Sequence, residues 1–471
     1  MDTQADANVY APATDNRWAS HIRATLMLGI PFIGAQLAQL GIHTTDVMIV
    51  GRLGAEQLAA MVLAAQFLFV ILFFGSGFSI AVIPMVAQAY GQSDIITVRR
   101  SMRMGLWVVI AYWLLLQPAF FYAEDILLAA GQKPDVARLA ADYVAIGHFG
   151  LLPGLLYNVL RALISAIGRA AVILNVTIAM LVTNAVLAYA LVLGHFGLPA
   201  MGLHGAAIVS VVVQLAGFLF AAGYVQLQEE TRRYEIFVRF WRPDWRAFFE
   251  VVRLGLPIGI TILAEVSLFT AASLLMGHIG TIELAAHGIA LQWASIAFML
   301  PLGLGQAATV RVGVAHGQGD HLGVLRASIT VLVMAVATSS IGGLLFFLEP
   351  TYLASLFLDT RAPEAEAVLA YAGPLIVIAG IFQLVDGLQA VANGVLRGLK
   401  DARIPMILAL IAYWPVGFFL AWVFAFPFGM GGRGVWFGFL VGLAAAAIML
   451  IARFYLLMRK DTSGRHQAAL I

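Results

Sequence analysis

Long apolar runs alternate with short polar breaks along the whole chain. About twelve such runs, each of roughly 20 residues, are centred near residues 34, 70, 113, 148, 182, 213, 263, 295, 337, 380, 414 and 445. A helix of that length crosses roughly 30 Å of hydrocarbon, whereas the strands of a membrane barrel are shorter and alternate in polarity. The pattern therefore predicts an all-α polytopic membrane protein with about twelve transmembrane helices.

The first half of the sequence recurs in the second half, 226 positions later. Six helices in each repeat is an even number, so both repeats begin on the same side of the membrane and are parallel. Internal repeats of this kind are typical of secondary transporters. Matching residues are Pro31 and Pro257, Gly54 and Gly280, Gln66 and Gln292, Gly77 and Gly303, and Asp94 and Asp320.

The longest polar stretch lies between the two repeats and is rich in arginine and aromatic residues. Two interpretations are open: a surface segment lying against anionic headgroups, or an ordinary cytoplasmic loop. The predicted organisation is a cytoplasmic tail at 1–20, a six-helix lobe at 21–226, a basic linker at 227–250, a second six-helix lobe at 251–460 and a cytoplasmic tail at 461–471.

Composition agrees with a membrane protein. Hydrophobic residues make up 62% and charged residues 11%, against about 45–50% and about 25% in soluble domains. The absence of cysteine excludes disulfides, thiolate metal sites and cysteine nucleophiles. We expect no cleaved signal peptide, because the polar N-terminal segment lacks a short apolar core.

The distribution of positive charge predicts the topology. If the first helix enters from the cytoplasm, most of the 27 lysine and arginine residues lie on the cytoplasmic side. This bias places both termini in the cytoplasm. The basic residues on the opposite side are Arg52, Lys133, Arg138, Arg361 and Arg433.

Four polar residues lie along one side of the first predicted helix. Gln36, Gln39, His43 and Asp46 are separated by steps of three, four and three, which places them on one helical face. Pro31, fifteen residues before Asp46, removes a helical hydrogen bond and is a candidate helix bend.

Isolated polar residues also mark later helices. Thr261 and Glu265 share a face of the seventh helix, and Asn184 lies on the fifth. The tenth helix has a stripe that includes Gln383 and Asp386 and continues through Gln389 and Asn393.

A charged carboxylate in mid-membrane costs about 2.5–3.5 kcal/mol on insertion scales. No lysine or arginine lies in the cores of the helices that carry Asp46, Glu265 and Asp386. A proton, a sodium ion or a cationic substrate is then expected to neutralise them. A structural role is also open: a protonated interhelical contact for Glu265 and Asp386, and a capping or solvated position for Asp46.

The remaining polar residues can be structural as well. Asn184, Gln36 and Gln39 are of a type that often joins helices, and His43 suits either a proton relay or a simple hydrogen bond. Three arginines are interpreted as topology anchors at cytoplasmic helix ends, namely Arg161, Arg311 and Arg397.

Missing motifs argue against an enzyme. The sequence has no G-x-x-x-x-G-K-[ST] phosphate loop, no H-E-x-x-H and no G-x-S-x-G. Transport energy is therefore expected to come from an ion gradient, where one charge crossing 100 mV is worth about 2.3 kcal/mol.

Three segments together resemble the multidrug and toxic compound extrusion family, in particular its NorM-type bacterial branch. They are residues 257–317, with AEVSLF, IGTIELAAHGIALQ and TVRVGVAHGQGD; the segment FQLVDGLQAVANGVLRGLKD around Asp386; and TTDVMIVGRLGAEQLAA around Asp46. The resemblance covers roughly residues 20–460.

The resemblance implies an alternating-access antiporter that exports lipophilic organic cations in exchange for sodium ions or protons. It implies coupling at Glu265 and Asp386 in the second lobe, with sodium as one candidate ligand of this pair. No cofactor other than the coupling ion is expected. The expected partners are organic cations and the lipid bilayer, without nucleic acid, and the expected state is a monomer. The resemblance also implies an ion or proton site at Asp46 and Asn184 in the first lobe. The other candidate site residues are chosen from their helical spacing and not from the resemblance: Thr261 and Gln383 in the second lobe, and Gln36, Gln39 and His43 in the first.

Two departures from the family pattern favour proton coupling in one or other lobe. Phe382 stands where some relatives carry tyrosine, and Met180 where some carry a second asparagine.

A flippase or exporter of a lipid-linked saccharide, with the same two-lobe architecture, is the second hypothesis for the function. A cationic cavity would suit its pyrophosphate, whereas the charges in these helix cores are acidic. A membrane-embedded enzyme would need a nucleophile and base or a metal cluster, and the sequence shows neither. A pore is disfavoured, because two repeated lobes with carboxylates in mid-membrane suit alternating access better.

Overall fold

The computed structural model of the protein describes residues 17–358 and 364–468. Residues 1–16 and 469–471 of the two predicted tails therefore lie outside the described residues. Most described residues belong to twelve long helices, as predicted. These are α1 (Trp18–Val50), α2 (Ala55–Gly91), α3 (Ile95–Leu115), α4 (Pro134–Ala166), α5 (Ala170–Leu193), α6 (Gly202–Leu227), α7 (Trp245–Ile279), α8 (Thr281–Gly317), α9 (His321–Leu348), α10 (Ala365–Gly398), α11 (Arg403–Ala425) and α12 (Gly431–Ala468).

Short helices occupy the connections, at Gly51–Leu53, Gln117–Phe121, Ala123–Ala129, Glu229–Arg232 and Pro350–Ser355. The described part of the chain contains no strand, which confirms the all-α class.

Eleven of the long helices are long and apolar enough to cross a membrane, one fewer than the sequence predicted. The exception is α3, which carries Arg99, Arg100 and Arg103 near its start. The apolar run continues past Leu115, but the helix does not. Pro118 has no backbone N–H to continue the helical hydrogen bonds, and a separate short helix follows. The eleven apolar helices make the chain a multi-pass membrane protein.

The contacts divide the chain into two compact units. One unit consists of the residues up to Ile33 together with those from Ile260 onward, and the other is Gly34–Gly259. The division runs through α1 and α7, whereas the sequence repeat places its boundary between α6 and α7. We call these the first-half unit (Gly34–Gly259) and the second-half unit. The lobe limits 21–226 and 251–460 stay a prediction.

Two glycines related by the repeat explain where α1 and α7 pack. A Cβ atom on Gly77 of α2 would lie 2.4 Å from the backbone nitrogen of Gly259. One on Gly303 of α8 would lie 2.6 Å from the backbone nitrogen of Ile33. The start of α7 therefore packs directly on α2, and the start of α1 on α8, in backbone contacts that small residues permit.

The repeat is also visible in helix caps. Asp94 Oδ1 accepts hydrogen bonds from the backbone nitrogens of Ile96 and Thr97, both at 3.0 Å, at the start of α3. Asp320 Oδ1 accepts one from Gly323 at 2.8 Å at the start of α9. The Thr97 hydroxyl, followed by the backbone donors, holds the pKa of Asp94 below its usual value.

The last two helices form a tight pair. In α11, a seven-residue π-helical segment, Ala412–Phe418, interrupts the α-helix and contains Pro415. In α12, Gly434, Gly438 and Gly442 are four residues apart and share one face. A Cβ atom on Gly438 would lie 2.1 Å from the nitrogen of Ala421. This glycine face lets α11 and α12 approach backbone to backbone.

Candidate functional sites

Glu265 and Asp386 meet in one cavity of the second-half unit. Its volume is about 260 Å³, and α7, α8 and α10 form its walls. Phe269, Phe298 and Phe382 supply aromatic faces. The other lining residues are Val266, Thr270, Ser273, Leu291, Ala294 and Ser295.

Among the described residues, neither Glu265 nor Asp386 forms an ion pair with a lysine, arginine or histidine. Asp386 is 5% exposed, and its Oδ1 has no hydrogen-bond partner. Arg397 of α10 interacts electrostatically with Glu265 without forming an ion pair. Arg397 lies in the last turn of α10, the helix-end position that the sequence suggested.

Thr261 and Gln383 are both buried, but neither is among the residues that line this cavity. The side chain of Gln383 lies against Gly342 of α9, and its Nε2 has no partner. The structure thus brings together two of the four residues predicted for this unit.

Tyr413 is a neighbour of the site that the sequence did not indicate. It lies in the π-helical segment of α11 and is completely buried. Gln389 Nε2 donates a hydrogen bond to its hydroxyl oxygen at 2.5 Å. Tyr413 also lies close enough to Glu265 and Asp386 for their charges to act on its hydroxyl group. The one sequence signal was Pro415, because a proline inside an apolar run can mark an irregular turn.

His287 of α8 lies just outside the cavity wall and was also missed. It is 1% exposed, and its Nε2 is 3.2 Å from Oγ of Ser273, which lines the cavity. Its ring contacts Trp436 edge to face at 5.8 Å, and Trp436 contacts Phe382 at 5.5 Å. A polar side chain therefore supports the wall behind the aromatic faces.

The first-half unit brings Asp46 and Asn184 together. Asn184 Nδ2 donates a hydrogen bond to Asp46 Oδ1 at 2.9 Å, and Asn184 is fully buried. Its Oδ1 has no partner. Tyr143 of α4 interacts electrostatically with Asp46, and its hydroxyl is 3.2 Å from Oγ of Ser210. Tyr143 had not been predicted.

The remaining stripe residues of α1 stay apart from this pair. Within the described part of the chain, the side chains of Gln36, Gln39 and His43 form no hydrogen bond, and Gln39 and His43 are exposed. The ring of His43 instead packs on Phe69, with centroids 5.2 Å apart. Helix α1 continues through Pro31 without a break in its secondary structure.

Met180 lies one turn before Asn184 on α5 and is buried. Its sulfur would lie 2.5 Å from a Cβ atom placed on Gly217 of α6. The thioether therefore fills space between α5 and α6 and offers no oxygen to an ion near Asn184.

Comparisons with known proteins agree with this architecture. The family model MatE matches residues 31–190 and 257–423. A probable multidrug resistance protein NorM of Agrobacterium fabrum is 66% identical over 450 residues, covering 96% of this chain and 97% of the relative. A protein of the same name in Rhizobium meliloti is 62% identical over 451 residues, with the same coverage.

A solved structure has the same fold. The eukaryotic MATE transporter AtDTX14 matches with a TM-score of 0.84 and 23% sequence identity, covering 95% of this chain and 99% of that one. The family model matches most of the sequence, and the two relatives are similar over nearly all of it. The chain therefore belongs to the MatE family of multidrug and toxic compound extrusion transporters.

Proposed function

We propose that this protein exports lipophilic organic cations across the bacterial inner membrane in exchange for sodium ions or protons. The names of its relatives, multidrug resistance proteins, support export of drugs. The observation that carries the proposal is the cavity in which Glu265 and Asp386 lie without an ion-pair partner among the described residues.

The coupling step is binding of the ion at Glu265 and Asp386. A bound sodium ion or proton neutralises one of the two carboxylate charges, lowers the cost of holding the pair in a low-dielectric interior and so stabilises the state that holds it. The organic cation and the ion compete, because each supplies the positive charge that the carboxylates lack. Differential binding of the ion to the two access states drives the cycle.

The cavity offers ligands for either ion. Sodium is a hard cation that prefers oxygen ligands, and Ser273 and Ser295, which carry hydroxyl groups, line the same cavity as the carboxylates. A proton requires only the carboxylates. Asp46 and Asn184 form the second candidate site, where Asn184 leaves a carbonyl oxygen without a partner.

Transport in proteoliposomes tests the proposal. Efflux of a fluorescent organic cation is measured with a sodium gradient alone and with a proton gradient alone. One gradient is expected to drive export, and Glu265→Gln and Asp386→Asn are each expected to reduce its initial rate at least about tenfold, since each removes a charge that binds the ion. The gradient that supports export identifies the coupling ion.

Glu366→Gln is the matched control. Glu366 is an exposed carboxylate at the start of α10, the helix that carries Asp386, and its substitution should leave the rate unchanged. Full-rate export by correctly inserted Glu265→Gln and Asp386→Asn variants would contradict the assignment of the cavity. If neither gradient drives cation export but a lipid-linked saccharide crosses the membrane, the protein is a flippase.

A further inference from the structure

The segment that joins α6 to α7 is fixed along one side of α3. Arg99, Arg103 and Trp107 are four residues apart on α3 and point to the same side. Arg99 Nε donates a hydrogen bond to the backbone oxygen of Tyr234 at 2.8 Å, and Arg103 Nε donates one to that of Ile236 at 2.9 Å. Trp107 Nε1 donates a third to the backbone oxygen of Phe240 at 3.0 Å. The segment is therefore a docked structure and not a loose loop.

Docking decides which side chains face outward. Tyr234 and Ile236 are each 2% exposed, so they pack inward beside the carbonyl groups that α3 holds. Beyond them, Trp241, Trp245 and Phe249 are 71%, 57% and 62% exposed. Three large aromatic side chains thus face outward where α7 begins.

Two residues of the same segment have a backbone conformation that is unfavourable for residues other than glycine. Glu235 and Arg239 have φ values of 47° and 55°, in the left-handed region that non-glycine residues rarely adopt. Arg103 also donates to the backbone oxygen of Glu235 at 3.0 Å. The contacts from α3 hold a conformation that the segment would not readily adopt alone.

Most acidic side chains of this region form ion pairs with arginine residues of the same chain. Glu230 pairs with Arg169 at 3.1 Å, and Glu235 pairs with Arg99 at 2.8 Å. Asp244 pairs with Arg100 at 3.3 Å. Ion pairing therefore removes most of the negative charge that could offset the arginines of the segment.

The exposed arginines of the segment keep their charge available. Among the residues that the structure describes, their side chains form no ion pair. Exposed aromatic rings beside unpaired basic groups are typical of surfaces that lie in the membrane interface. These arginines are Arg232, Arg239, Arg242 and Arg246.

We propose that this surface, formed by Trp241, Trp245, Phe249 and the four arginines, binds the headgroups of anionic phospholipids. The aromatic rings lie at headgroup level, and the guanidinium groups contact lipid phosphates, which they bind in bidentate geometry. The surface is joined directly to the ends of two membrane-crossing helices, α6 at Leu227 and α7 at Trp245. It therefore lies where a leaflet meets water.

A single-cysteine probe tests the proposal. The chain contains no cysteine, so a Trp241→Cys variant carries one site for a bimane label. The labelled full-length protein is placed in vesicles of phosphatidylcholine alone or with phosphatidylglycerol, both containing lipids with brominated acyl chains. Phosphatidylglycerol is expected to increase bromine quenching and to shift bimane emission to the blue.

A label at Phe196→Cys is the matched control. Phe196 is 77% exposed and lies in the connection between α5 and α6, away from the basic surface. Its quenching is expected to be the same in both vesicles.

The combined variant Arg239→Gln, Arg242→Gln, Arg246→Gln separates charge from mere proximity to lipid. Each arginine near an anionic surface contributes a factor of about five to binding, so the combined variant is expected to lose the response to phosphatidylglycerol at every lipid composition, and lysine at the same three positions should restore it. Equal quenching at 241 in both vesicles would overturn the proposal. So would loss of the response on addition of inorganic phosphate, which would identify a soluble-anion site.

Discussion

Asp386 has a buried oxygen atom, Oδ1, without a hydrogen-bond partner. A buried donor or acceptor without a partner costs about 1–3 kcal/mol, and more if it is charged. Its Oδ1 is such an atom, and Gln383 Nε2 and Gln389 Oε1 on the same helix are two more. These atoms are concentrated on α10, where a bound proton, ion or water would satisfy them.

Tyr413 gives a prediction at this scale. Tyr413→Phe keeps the ring but removes the oxygen that accepts from Gln389. The variant is expected to lose about 1–3 kcal/mol of stability, because the buried amide is left without its acceptor. Gradient-driven export should fall in addition. Thermal unfolding in detergent and proteoliposome transport measure the two effects.

Tyr455→Phe serves as the reference substitution. Tyr455 is 64% exposed on α12, so its stability should change by no more than about 0.5 kcal/mol. If Tyr413→Phe behaves like this reference in both assays, the Tyr413 hydroxyl is not part of the site.

The residues of the site differ in how far the sequence could identify them. Glu265 and Asp386 stand out in apolar runs, and the cavity contains both. Spacing also placed His43 on one face with Asp46, but periodicity does not say what that face meets, and His43 is exposed. Tyr413 was not predictable, because tyrosine is unremarkable in a membrane helix and a π-helical turn changes the face on which it lies.

Glycine positions set the distances between elements. In lipid, helices gain little from burying apolar side chains against one another, so close backbone packing becomes important. Gly77 and Gly303 permit it for α2 and α8, and the face of Gly434, Gly438 and Gly442 permits it for α12. The repeat could be found in the sequence, but which helix each glycine meets could not.

Two alanine substitutions in α8 test this packing. Gly303→Ala would place a Cβ atom 2.6 Å from the backbone of α1, which cannot move as a flexible side chain can. We expect a loss of about 1–3 kcal/mol, the usual cost of overpacking. The measurement is thermal unfolding of the purified protein in detergent.

Gly288→Ala, in the same helix, has nothing within 4 Å of the added Cβ atom. It should be neutral or slightly stabilising, because alanine favours the helix over glycine by roughly 0.5–1 kcal/mol. Equal unfolding temperatures for the two variants would mean that α1 does not depend on close approach at Gly303.

At the scale of the whole molecule, each compact unit contains a half-helix from the other repeat. The start of α1 packs on α8 at Gly303, and the start of α7 packs on α2 at Gly77. The number of long helices could be predicted, since it follows from the local pattern of apolar runs, whereas the lobe limits stay a prediction. This exchange of half-helices between the two repeats could not be predicted, because the offset between two similar segments does not say which helices each segment packs against.

Cleavage of the chain tests whether each compact unit contains helices from both repeats. A protease site inserted between Arg242 and Pro243, which are both exposed, would separate α1–α6 from α7–α12 after digestion. The two fragments should still elute together from a sizing column in mild detergent, since each unit needs helices from both. Uncleaved protein with the same insertion is the control, and separate elution of the fragments would contradict the exchange.

The π-helical segment of α11 has a consequence for insertions and deletions. A π turn holds one residue more than an α turn, so deleting one residue from Ala412–Phe418 could restore a regular helix. The residues beyond the deletion would keep their facing, because the π turn takes up its extra residue locally, and Ala421 would still meet Gly438. Deleting one residue from a regular part of α11 would instead turn everything beyond it by about 100°, so α11 should tolerate the loss of one codon better in this segment than elsewhere.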